Sequence, residues 1–351
     1  MFRCINSKNS INPNSFDLLR LVAAILVVVS HQCLLLGHSL PYFFWPFDLG
    51  YLALLIFFAL SGGLITQSWQ RDPQARKFLL KRCLRIFPAL VVVVTLTALV
   101  LGPAFTALPV SAYFSDVGTW KYFRCILLWP GHSYLPGVFT ANPYPNAVNG
   151  SLWTLPMEFA CYLSVLAVGI TGLLRRAYTV SVLMFGFSIL AALTGDSSNA
   201  NLKSLTLLTA TFWWGAWLWL GFAAGYPRRK IDQLLAVLAL TIVALVGSCG
   251  VARAVSIALA VGLVWLAARL NFGDRITRRL GDLSYGVYIF GFPVQQCLVA
   301  KFGPENFSYL EFLALSLSLI LPLAWCSWHL VEKYFLRMKK AALNSPKLSN
   351  N

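Results

Sequence analysis

FDLLRLVAAILVVVSHQ, Phe16 to Gln32, is the stretch that decides the fold. Behind Asp17 and Arg20 it runs apolar to His31, long enough for a membrane helix and without the alternation of a strand. At about 1.5 Å per residue, the step from Arg20 to His31 covers roughly 16 Å and returns the chain to within ~20° of one helix face. With Arg20 at the inner boundary, His31 lies near the centre of a hydrocarbon layer about 30 Å thick. Ala24 and Val27 share that face and would let a neighbouring helix approach, and Asp17 stands where it can orient Arg20. An ionisable group at such depth is costly in lipid and marks a candidate functional site. The plainer alternative is a neutral histidine hydrogen-bonded for packing.

Working outward, the same kind of segment recurs along all 351 residues, with 58% hydrophobic and only 11% charged residues. That composition excludes an ordinary soluble protein. The apolar runs are continuous rather than alternating, which argues against a transmembrane barrel. Ten spans are expected at 17–37, 47–69, 85–104, 151–172, 178–194, 204–224, 231–248, 252–270, 284–301 and 309–331. The expected fold is all-α: a polytopic membrane bundle of about ten helices with both termini cytoplasmic. One transmembrane domain, 1–335, precedes a short basic tail, 336–351.

The net charge of +16 would suit nucleic acid, but its distribution gives another account. With a cytoplasmic N-terminus, 23 of the 28 Lys and Arg fall on inner segments, leaving Lys121, Arg124, Lys203, Arg253 and Lys301 outside. This is the positive-inside asymmetry, and no nucleic-acid partner is expected. Span 1 lacks a small-x-small cleavage site and is not a signal peptide. The eight cysteines are scattered without CxxC or CxxH spacing, the histidines His38, His132 and His329 form no ligand pattern with His31, and no metal is expected.

The longest stretch outside the spans, 105–150, faces outward and combines Pro109, Pro130, Pro136, Pro143 and Pro145 with many aromatics, Tyr144 among them. Either these form an aromatic belt at headgroup level, or they build a lid or groove that stacks on a sugar or lipid-linked acceptor. Trp120 to Trp129 is too short to span and reads as an interfacial or re-entrant helix.

Four further positions carry possible chemistry. In TLPMEFACYL, Asn149 or Ser151 can cap a helix entering from outside, which puts Glu158 about 10 Å below the outer boundary, at a depth close to that of His31. A carboxylate there can orient an imidazole or bind acceptor hydroxyls, or it can simply favour a helix N-terminus. In KRCLRIFP, Arg82 and Arg85 share a helix face near Lys81, and guanidinium forks suit phosphate, although the positive-inside rule alone also accounts for them. In FFALSGGLIT, Ser61, Gly62 and Gly63 form a flat patch, either for helix packing or as a surface along which an acyl chain or pantetheine arm slides. No GxSxG elbow, P-loop or dinucleotide fingerprint is present.

FDLLRLVAAILVVVSH with its Arg-x10-His, FFALSGGLI, RCLRIFP, NGSLWTLPMEFACY, LSYGVYIFGFPVQQ and the closing WHLVEKYF together resemble the membrane-bound acyltransferase-3 family, in the family's order and over nearly the whole chain. The resemblance implies a bacterial inner-membrane, multi-pass O-acyltransferase acting on surface polysaccharides or related glycoconjugates. No cofactor would be held; acyl-CoA, acetyl-CoA by family default, would be the co-substrate. Carried over by motif, Arg20, Arg82 and Arg85 serve the donor, and His31 serves the transfer as general base or transient acyl carrier; Ser61, from the flat patch, is a further candidate on the donor side. Glu158 matches the acidic position of the family's W-x-L-x-x-E pattern and joins His31 in catalysis. Gly291 stands in YIFGFP where many members have histidine, so any role of that second histidine is absent. Some members carry a fused extracytoplasmic domain; none is expected after span 10 here. The rival readings are a transporter or flippase for a lipid-linked sugar, which would cleave no thioester, and a sensor or scaffold, in which His31 and Arg20 would be dispensable. The acceptor, the acyl length and the oligomeric state are not legible.

Overall fold

A computed structural model of the chain describes residues 13–38, 42–44, 47–129, 134–223, 230–269 and 281–337. Cys4, Pro130, His132, the basic residues Arg3, Lys8, Arg228, Arg229, Arg275, Arg278 and Arg279, and the tail from residue 338 lie outside the described residues.

Each of the ten expected spans coincides with a long helix. These are α1 (Pro13–Leu35), α2 (Leu49–Arg71), α3 (Ala75–Leu96), α4 (Leu155–Ile170), α5 (Ala177–Leu193), α6 (Ala200–Ala223), α7 (Lys230–Leu245), α8 (Gly250–Arg269), α9 (Ser284–Phe302) and α10 (Tyr309–Cys326). The chain is an all-α multi-pass membrane protein. Six spans, Ser15–Leu35, Leu49–Arg71, Ala75–Phe105, Leu152–Ile170, Gly250–Arg269 and Tyr309–Arg337, are long and apolar enough to cross a membrane, and Tyr178–Leu193 and Gln233–Leu245 are shorter apolar helices. In α6 and α9 buried Thr206, Thr209, Thr211, Gln295 and Gln296 dilute the apolar composition. The strands among the described residues are the short antiparallel pair Tyr42–Phe44 and Phe47–Asp48.

Local sequence explains the helix ends. Asp48 caps α2, its carboxylate accepting the Tyr51 amide at 3.0 Å and the Ser30 hydroxyl at 2.8 Å. Ser308 and Glu311 form a capping box at the start of α10. Two π-helical turns, Thr97–Leu101 and Ser327–Glu332, extend α3 and α10.

The chain divides into two compact units. The first comprises Met1–Ser30, Leu40–Pro73 and Met157–Arg279; the second comprises His31–Ser39, Gln74–Pro156 and Leu280–Asn351. The first is built around the α2–α6 contact, with α5, α7 and α8 packed about it. Glycines allow that contact. A Cβ on Gly62 would stand 1.7 Å from the Phe212 carbonyl oxygen, and one on Gly215 would stand 1.9 Å from that of Ala59. The packing reading of the Ser-Gly-Gly patch is therefore the one seen for Gly62 and Gly63. The second unit pairs α9 with α10, sets α3 against them, and folds the outer stretch onto α9.

Candidate active site

In the first unit, Arg20 lies on α1 one turn from Asp17, whose carboxylate accepts from its guanidinium at 3.4 Å. The expected orienting pair is present. Ser61 on α2 is 8% exposed, and its hydroxyl donates to the Glu158 carboxylate at 3.4 Å. The Tyr162 hydroxyl, one turn further along α4, donates to the same oxygen. Glu158 thus carries two donors, one from its own helix and one from α2. A 3-10 turn, Leu152–Thr154, precedes α4, so Glu158 falls in the first turn of the α-helix, nearer its start than a helix capped at Ser151 would put it. The partial positive charge of that helix end favours a carboxylate there. Asn149 instead donates to the Ile289 carbonyl on α9 at 2.9 Å and accepts the Ser151 amide at 3.2 Å.

In the second unit, His31 is half-buried near the end of α1, its imidazole meeting the Phe292 ring edge-on at 5.0 Å and 83°. Phe292 on α9 is 1% exposed. Arg82 packs over Phe78 at 5.7 Å. Arg85 has a different environment: one terminal nitrogen donates to Asp282 at 2.6 Å and the other to Glu332 at 3.0 Å. The Tyr285 ring lies 5.6 Å from its guanidinium carbon. Glu332 is 2% exposed and also accepts from Ser327 at 3.1 Å. Asp282 accepts from Ser284 at the start of α9, and the Tyr285 hydroxyl donates to the Ile86 carbonyl at 2.9 Å. Two carboxylates therefore hold one guanidinium and tie α3 to the start of α9 and to the turn that extends α10.

Sequence reading missed Asp282 and Glu332 as partners of Arg85, Tyr162 as a partner of Glu158, and Phe292 as the wall of His31. Glu332, an acidic residue directly after the last expected span, was the available signal. The rest depend on pairs far apart in the chain. Among the described residues, no group of three His, Cys, Asp or Glu could hold a metal ion.

The family model described as an acyltransferase domain matches residues 14–331. The chain belongs to this acyltransferase family. It is similar to an O-acetyl transferase of Shigella phage Sf6, 32% identical over 342 residues that cover 96% of this chain and 98% of that protein. It is also similar to Nodulation protein 10 of Rhizobium leguminosarum bv. viciae, 30% identical over 326 residues that cover 84% and 86%. No solved structure matches the chain. The protein is a multi-pass membrane acyltransferase, and its family implies an acyl donor and a glycan acceptor in general terms.

Proposed function

We propose that this acyltransferase resides in the bacterial inner membrane and moves an acetyl group from cytoplasmic acetyl-CoA to a hydroxyl of a surface polysaccharide or related glycoconjugate. The observation that carries the reading is His31: a half-buried imidazole, far along an apolar helix from Arg20, with an aromatic wall. The name of the Sf6 relative supports an O-acetyl product.

On the donor side, Arg82, with Arg76, Lys77 and Lys81 nearby on α3, is the phosphate reader. Arg85 shares that mouth, but Asp282 and Glu332 already offset its charge. It serves the donor by tying α3 to the start of α9 and to the turn that extends α10 rather than by net positive charge. Arg20, oriented by Asp17, positions the donor.

In the transfer, the His31 imidazole takes the proton of the acceptor hydroxyl, whose oxygen bonds to the thioester carbonyl carbon. The C–S bond breaks, and the departing thiolate receives a proton to leave as CoA thiol. In the two-step version the imidazole nitrogen first carries the acetyl group and then yields it to the hydroxyl. Glu158, held by Ser61 and Tyr162, is the second acid–base candidate.

The reading is tested with purified protein in lipid nanodiscs supplied with acetyl-CoA and surface polysaccharide. Free CoA thiol should appear with O-acetyl ester on the glycan. A transporter would release no thiol.

A further inference from the structure

The outer stretch is pinned to one face of α9. The buried Gln296 amide donates to the Tyr144 carbonyl at 2.9 Å and the Ala147 carbonyl at 2.7 Å, and its oxygen accepts from Asn142 at 2.6 Å. Two turns earlier on α9, the Ile289 carbonyl accepts from Asn149. Phe292 lies between these anchors. A Cβ on Gly150 would come within 2.6 Å of its ring, so glycine is what lets the loop close on it. Pro143 and Pro145 flank Tyr144 and limit its backbone freedom.

Tyr144 is nevertheless 39% exposed. Its ring meets Phe292 edge-on at 6.2 Å and 76°, and the same Phe292 ring meets His31 at 5.0 Å. The Tyr144 and His31 rings are therefore at most about 11 Å apart, a distance that a disaccharide spans. An exposed aromatic on a fixed loop is a surface against which a hydroxyl-rich ligand can pack.

A neighbouring face of α9 supplies a contrast. There Phe290, Pro293, Cys297 and Lys301 line an apolar groove of about 870 Å³ with α3 and α10, a wall suited to hydrocarbon. The loop face is different in kind: amides, a tyrosine and proline-fixed backbone.

We infer that Tyr144, seated on Phe292, is the stacking platform of the acceptor subsite and binds a sugar ring of the glycan while a neighbouring hydroxyl reaches His31. The inference rests on the acyl-transfer reading above. It is tested in nanodiscs with acetyl-CoA and the repeat oligosaccharide released by mild acid from the producing strain's own surface polysaccharide. Tyr144→Ala should raise the acceptor KM about tenfold, the scale of losing one aromatic stacking contact. The acetyl-CoA KM and acceptor-independent thioester hydrolysis should stay unchanged. Tyr144→Phe and Tyr144→Trp, which keep a ring, should remain within about twofold of wild type. An active wild type whose Tyr144→Ala variant keeps its acceptor KM, or changes both KM values alike, would overturn the platform while leaving acyl transfer intact. A wild type that acetylates no glycan would overturn the underlying reading instead.

Discussion

The imidazole of His31 meets the Phe292 ring edge-on, 5.0 Å between centroids and 83° between planes. Phe292 is almost wholly buried, and Gly150 lies against its ring. The position of the histidine is thereby linked to a single atom's worth of space in the outer loop. Gly150→Ala should displace Phe292, disturb its contact with His31 and lower kcat by about 10- to 100-fold, the cost of misplacing a reacting group by about 1 Å. Steady-state kinetics at matched membrane abundance would check it. An unchanged kcat would show that the Phe292 wall does not position the histidine.

Glu158 gives a graded prediction. Ser61→Ala removes one of its two donors, a bond that contributes about 0.5–1.5 kcal/mol. A loss of up to about tenfold in kcat/KM follows at 1.4 kcal/mol per decade. Glu158→Gln should cost more, because it removes the charge itself. If Ser61→Ala were the more damaging of the two, Ser61 would have a role other than supporting Glu158.

The arginines of the Arg-x-x-Arg motif should separate. Removing one partner of a buried ion pair costs about 3–5 kcal/mol where the other charge is left unpaired, and Glu332→Ala, which leaves Arg85 with Asp282 alone, should cost part of that. Glu332→Ala should therefore lower the thermal unfolding midpoint in detergent. Adding Arg85→Ala should cost much less than the sum of the two single changes. Arg82→Ala should leave the midpoint near wild type and raise the acetyl-CoA KM. Equal behaviour of Arg82→Ala and Arg85→Ala in both measurements would contradict the division of labour.

The helix bundle was legible because each span announces itself by unbroken apolar length. The candidate site was legible only where chemistry sits within one helix: Arg20 with His31 on α1, Arg82 with Arg85 on α3. The clamp on Arg85 joins residues 197 and 247 positions apart, and the Ser61–Glu158 bond joins residues 97 apart. No periodicity encodes such distances. The Ser-Gly-Gly patch was open to two readings because close helix packing and a sliding surface need the same small residues. Phe212 and Trp219 against Gly62 and Gly63 are what distinguish them.

That patch makes a test of packing. Gly62→Ala would place a Cβ 1.7 Å from a backbone oxygen of Phe212, whereas Gly63→Ala meets the Trp219 side chain at 3.1 Å. Backbone cannot yield as a side chain can. Gly62→Ala should abolish stable membrane accumulation, and Gly63→Ala should retain most of it, as read by quantitative immunoblotting of membranes.

The central claim is that the half-buried histidine of FDLLRLVAAILVVVSHQ performs acyl transfer. The most direct measurement is proton NMR of O-acetyl groups on the surface polysaccharide. It would compare wild-type cells, a deletion strain, and the deletion strain carrying His31→Ala at matched membrane abundance. The account predicts acetyl signals in the wild type only. Full restoration of acetylation by His31→Ala would contradict it and return His31 to a packing role.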